Sequence, residues 1–170
     1  MSSFSSRSLR RFVFASPVLF ALTGCFQPLY GGLNGKLVDE LQAIAIDPIP
    51  DRIGHYLGNE LVFALNGTGS DVTTKYRLHV TLAEKVQTPL VDTFAGRASA
   101  ATIYVEASYK LTLAGSSTIV DEGIATSLAS YDRTAQRFAN LRAARDAEIR
   151  DAKTLADQIR LSLSAALARS

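Results

Sequence analysis

The segment TIYVEASYKLTL, Thr102 to Leu113, alternates without a break: Ile103, Val105, Ala107, Tyr109, Leu111 and Leu113 point one way, Thr102, Tyr104, Glu106, Ser108, Lys110 and Thr112 the other. Successive side chains of a strand stand on opposite faces. The pattern therefore predicts a strand with one covered and one wet face, as in an antiparallel sheet backed on a single side. Upstream, Tyr76 to Leu82 repeats it, with Tyr76, Leu78, Val80 and Leu82 opposed to Arg77, His79 and Thr81. Downstream, Gly115-Ser116-Ser117 is a tight-turn signal, and Ile119 to Ser130 follows as an antiparallel neighbour. The apolar run Leu41 to Ile46, stopped by Asp47-Pro48-Ile49-Pro50, predicts the first strand. Val86 to Arg97, with Pro89 and Gly96, is a long loop between the second and third strands, and loops of that length are often functional.

Two segments switch to the helical period. Ile53, Leu57, Leu61, Ala64 and Leu65 share one face of a helix that Asp51 is placed to cap and Asn66-Gly67 to stop. Gly54 and Gly58 inside it cost about 1 kcal/mol each relative to alanine, which predicts close contact with a neighbour. From Thr134 to Ala168 there is neither Gly nor Pro, and Phe138, Leu141, Ile149, Ala152, Leu155, Ala156, Ile159, Leu163 and Leu167 trace a stripe that is weakest from Arg142 to Glu148. Asp146 and Arg150 are placed for an i, i+4 pair on the solvated side. The order β-α-β-β-β-α predicts an α+β two-layer sandwich: two helices on one face of a four-stranded, mostly antiparallel sheet.

The amino terminus has a different grammar. Arg7, Arg10 and Arg11 precede the uncharged run Phe12 to Leu22, which is about half the ~20 residues a spanning helix needs and contains Pro17. Leu22-Thr23-Gly24-Cys25 then resembles a bacterial lipobox, in which small residues precede a cysteine whose thiol takes the lipid. The expected organisation is a signal peptide over 1–24, a Pro- and Gly-rich lipidated tether over 25–36, and one domain over 37–170. Each buried acyl methylene contributes about 0.8 kcal/mol, so a chain carrying three acyl groups stays on its membrane. Phe26 in place of Asp after the cysteine favours the outer membrane. Loss of three of the 18 basic residues with the leader leaves 15 against 16 acidic ones, so the net charge gives no reason to expect nucleic acid.

The chain has two histidines, His55 and His79, and no second ligand or nucleophile stands at a useful spacing from either. No nucleophile elbow, zinc signature, Cys-x-x-Cys or glycine-rich phosphate loop is present. The expectation is a protein that is no enzyme and takes no metal or cofactor. Asn66-Gly67-Thr68 matches a glycosylation acceptor, but a turn accounts for it.

Gly24-Cys25-Phe26-Gln27-Pro28-Leu29-Tyr30 behind the leader, Tyr109-Lys110-Leu111 in the third strand, and Asp151-Ala152 with Leu155-Ala156 in the last helix carry a further likeness. Their order along nearly the whole chain resembles the LPS-assembly lipoprotein LptE family in its alphaproteobacterial form. The resemblance implies a lipid-anchored subunit of the outer-membrane lipopolysaccharide (LPS) translocon, which plugs the LptD β-barrel, supports its assembly and touches LPS in transit. Arg97 and Lys110 are then candidates for LPS phosphates. The same anchor and layering would also serve a pilotin or other outer-membrane assembly lipoprotein, or an accessory lipoprotein of a lipid transporter.

Overall fold

The alternating segment at the centre of the sequence is an inner strand of the sheet. In the computed structural model, which describes residues 35–67, 72–88, 91–92 and 97–169, the chain runs through α1 (Gly35–Gln42), β1 (Ile44–Ile46) and α2 (Asp51–Asn66) into β2 (Tyr76–Gln87). A two-residue hairpin, β3 (Val91–Asp92) and β4 (Arg97–Ala98), leads to β5 (Ala100–Leu113), β6 (Ile119–Asp132) and α3 (Arg137–Leu167). The main sheet has the order β1-β2-β5-β6. β1 runs parallel to β2, and the other neighbours are antiparallel. The expected α+β sandwich is the observed one, with α2 and α3 over one face of the sheet and a third, short helix ahead of them.

That third helix corrects the reading of the first strand. Leu37 and Leu41 stand four residues apart and are both buried, and no glycine or proline interrupts Lys36 to Asp47, so the chain winds until Gln42. Only Ile44–Ile46 remains extended. The long loop is shorter than expected, because β2 continues through Gln87 and the β3–β4 hairpin fills part of the rest.

Leu57 and Leu61 from α2, Leu155, Ile159 and Leu163 from α3, and Leu78, Ile103, Val105 and Leu111 from the sheet are fully buried. Each contributes about 1.5–3 kcal/mol by leaving water. Gly67 ends α2 as anticipated: at φ 58° it returns its N–H to the Phe63 carbonyl. Asp51 does not cap. The N-cap is Pro50, and Asp51 itself takes φ 69°, a conformation that short polar side chains tolerate best. In α3 the expected stripe is buried from Ala152 to Leu167 and departs from expectation only in the first half of the helix. Ala147, Glu148, Asp151 and Ala152 face inward, whereas Phe138, Leu141 and Ile149 are exposed. A twisted sheet takes up only the part of a 31-residue helix that lies across it, and the first turns reach past the covered area.

The two helical glycines separate on contact. A Cβ at Gly54 would lie 2.8 Å from Ile49 Cγ2 and 2.9 Å from the Ile49 carbonyl oxygen, whereas one at Gly58 meets nothing within 4 Å. The close contact expected at both positions exists only at Gly54. Gly54→Ala is expected to lower stability by about 1 kcal/mol, overpacking outweighing the gain in helix propensity. Gly58→Ala is expected to raise it by about 0.5–1 kcal/mol. Chemical denaturation midpoints of the two variants test the contrast, and equal shifts would refute it.

The rims of the sheet are partly blocked to further strands. β1 is three residues long. Along β6, the Gln158 side chain of α3 accepts from the Thr126 N–H (3.2 Å) and donates to the Thr126 carbonyl (3.0 Å), while Arg150 Nη2 donates to the Ser130 carbonyl at 3.0 Å. Helix side chains thus satisfy outward backbone groups that an unpaired strand leaves open.

Candidate functional site

One face of the sheet is buried under α2 and α3, and the other is open from end to end. Register fixes what that face presents. Across β2, β5 and β6 the rows are His79–Lys110–Glu122, Thr81–Ser108–Ile124, Ala83–Glu106–Thr126, Lys85–Tyr104–Leu128 and Gln87–Thr102–Ser130. Ile124 and Leu128 are 65% and 67% exposed, so large apolar side chains stand among hydroxyls and charges.

At the β6-turn end, His79, Thr81, Ser108, Lys110, Glu122 and Ile124 line a shallow groove of about 600 Å³. Lys110 Nζ lies 3.5 Å from Glu122, with both side chains about half exposed, so the pair is screened and contributes little to stability. Asp47 sits beside this row, accepting from Arg77 at 2.9 Å and lying 3.5 Å from His79 Nδ1. On the covered face behind the groove, a Cβ at Gly123 would be 2.6 Å from Tyr109 Oη, so β6 carries glycine where the tyrosine ring crosses it. Amphiphilic grooves of this kind bind by contact and charge. Among the described residues no group of His, Cys, Asp or Glu is arranged to hold a metal ion.

Lys110 therefore stands on the open face, three residues from the end of β5, while Arg97 lies in β4 just before β5 begins. Ala100, where β5 begins, and Lys110 are about 33 Å apart along the strand at 3.3 Å per residue. The Arg97 side chain, Cys25, and the Leu22, Thr23 and Gly24 of the lipobox lie outside the described residues. The sequence reading missed His79, Glu122 and Ile124 as neighbours of Lys110. Their register partners were visible only once strand pairing was known, although each sits on the polar side of its own alternation. His55 is remote from this groove, in contact with Asn59 at 3.2 Å on α2.

A second polar cluster lies beneath the helices. Arg52 of α2 reaches Glu148 of α3 through two hydrogen bonds, one of them Nε to Oε2 at 2.7 Å, and the Glu148 side chain is only 4% exposed. Ser127 Oγ donates to Asp151 Oδ1 at 2.5 Å, while Asp151 Oδ2 is buried without a partner. Burial pushes the Asp151 carboxyl above its usual range, against the opposing pull of Ser127 and Arg150. Glu84 is raised by burial and by the neighbouring Glu148. At the other end, Glu40 is held low by its hydrogen bond to Lys75 at 2.7 Å.

Residues 41–163 match the family model described as LptE, lipopolysaccharide-assembly. The chain belongs to the lipopolysaccharide-assembly LptE family. The matched span runs from the end of α1 to the last turns of α3, so the whole sandwich is the family unit. Among solved structures, a candidate lipoprotein from Caulobacter crescentus CB15 is 25% identical, with a TM-score of 0.64 over 79% of this chain and 98% of the other. A minor lipoprotein from Acinetobacter baumannii (17% identical, TM-score 0.55, covering 72% and 90%) shares the fold. So does rare lipoprotein B from Shewanella oneidensis (10%, 0.55, covering 74% and 96%). No match was found among curated proteins.

Proposed function

We propose that this LptE-family protein is the outer-membrane lipoprotein subunit of an LPS translocon. Residues 1–24 direct export, Cys25 carries the lipid, and residues 25–36 tether the domain on the periplasmic side. The domain occupies the lumen of an LptD-type β-barrel, plugs it and supports its assembly while LPS passes to the cell surface. The observation that carries this reading is the division of one sheet into a face sealed by helices and a full-length open face with charges, hydroxyls and exposed Ile124 and Leu128. A lumen wall needs such a rigid amphiphilic surface, and LPS offers phosphates and acyl chains to the groove that holds Lys110 and Ile124. The action is non-covalent throughout.

Detergent extraction of the tagged protein from its own cells tests the reading. A large barrel protein should co-purify, the amino-terminal peptide should carry a lipidated Cys25 by mass, and Lys110→Glu should keep the barrel but reduce the LPS that accompanies it. Recovery of a secretin or an inner-membrane transporter, or an unmodified sulfur at residue 25, rejects it.

A further inference from the structure

The first turns of α3 carry a surface that the proposed lumen role does not use. Phe138, Leu141, Arg142, Arg145 and Ile149 follow at spacings of three, one, three and four, which places them on one side of the helix. All five are exposed, Phe138 at 74% and Leu141 at 60%, because burial in α3 begins only at Ala147. Arg133 and Arg137 lie immediately upstream. The side chains of Arg133, Arg137, Arg142 and Arg145 make no hydrogen bond or ion pair among the described residues; of the nearby acids, Asp132 adjoins Arg133 and Asp146 is engaged by Arg150 at 3.0 Å. No acidic residue occupies the first turn of α3, so the positive end of the helix dipole adds to the arginines.

This surface is held in place. Asn140 Oδ1 accepts from the Thr134 N–H at 2.7 Å, Asn140 Nδ2 donates to the Thr134 carbonyl at 2.9 Å, and Thr134 Oγ1 accepts from the Gln136 N–H at 3.2 Å. The Arg133 N–H bonds the Ser99 carbonyl at 2.9 Å, which ties the start of the helix to the β5 end of the sheet.

We propose that the amino-terminal face of α3 docks on an anionic glycerophospholipid surface, Phe138 and Leu141 entering the acyl boundary and Arg137, Arg142 and Arg145 pairing with headgroup phosphates. Charge complementarity selects this occupant. Large apolar side chains flanked by cations are what an interfacial helix presents to an anionic leaflet, where guanidinium stems lie along apolar surface and the heads reach phosphate. The contact would add a second point of attachment, independent of any lipid on Cys25, at a part of the domain that stays outside the lumen.

The test uses residues 36–170, which contain every described core side chain and strand pairing and hence their own core. Co-sedimentation is measured with phosphatidylcholine vesicles, with and without phosphatidylglycerol, at low and high salt. Binding is expected only with phosphatidylglycerol and should weaken with salt. Arg142→Glu with Arg145→Glu should weaken it by roughly 30-fold or more. Phe138→Ser with Leu141→Ser should abolish the part that survives salt. Arg142→Lys with Arg145→Lys should retain binding, and the melting temperature of each variant checks that these exposed changes leave the fold intact. Absence of phosphatidylglycerol-dependent binding, or binding unaltered by charge reversal in folded protein, overturns the proposal. It also falls if the reversals spare vesicles but remove a co-purifying protein, which would make the face a protein interface.

Discussion

Arg52→Ala is expected to destabilise the domain by about 3 kcal/mol, more than its exposed position suggests. The Arg52 side chain is 57% exposed and on that ground alone would contribute little. Its partner decides the matter. Glu148 is buried against α2, and both its oxygens are met by the guanidinium, one through Nε and one through Nη2. Deleting the arginine leaves a carboxylate out of water with its two principal donors gone. Glu148→Gln keeps the shape, removes the charge and should cost less. In Arg52→Ala with Glu148→Gln the loss should be smaller than the sum of the single losses by at least about 1 kcal/mol, because the neutral amide no longer needs the cation. Denaturant titration of the four proteins gives the coupling. An Arg52→Ala midpoint indistinguishable from the parent would show that the pair is decorative.

Asp151→Asn is expected to stabilise the domain at pH 8, on the order of 2 kcal/mol, and to lose that advantage as the pH falls. Asp151 is 1% exposed, accepts one hydrogen bond from Ser127 and leaves Oδ2 unmatched. Burial raises its proton affinity in the folded chain. The folded state therefore holds this proton over a pH range in which the unfolded chain has released it, and stability from this group decreases with rising pH across that range. The penalty is fully present above the raised value and gone below the ordinary carboxylate range. Glu40 acts in the opposite sense: its proton affinity is lowered by Lys75, so its contribution is lost as the pH falls through its folded value. The difference between Asp151→Asn and the parent removes that background. The two stability curves should converge toward pH 4, and curves that stay parallel from pH 4 to 8 would falsify the assignment.

These carboxylates mark where sequence reading stops. The alternation in Thr102 to Leu113 exposed the sheet directly, since every second residue from Ala101 to Leu111 is buried. Gly67 ended α2 where expected because a helix stop is a local backbone property. Failures came where the outcome depends on distant partners. Whether Gly58 is crowded, whether the first turns of α3 are covered, and which strand residue lies across from Lys110 are all decided by elements far away in the chain. Asp151 and Glu148 look like solvated charges on an amphipathic helix until Ser127 and Arg52 arrive from elsewhere. The groove was half legible: Lys110 could be picked out, but His79, Glu122 and Ile124 became its neighbours only through pairing.

The blocked stretches of the rims have a consequence for any encounter with a β-structured partner. With β1 only three residues long and the outward groups of Thr126 and Ser130 already taken by Gln158 and Arg150, these stretches have little backbone ladder to lend. Contact made along these stretches would be keyed by side chains and could form or break without unzipping a ladder in either partner.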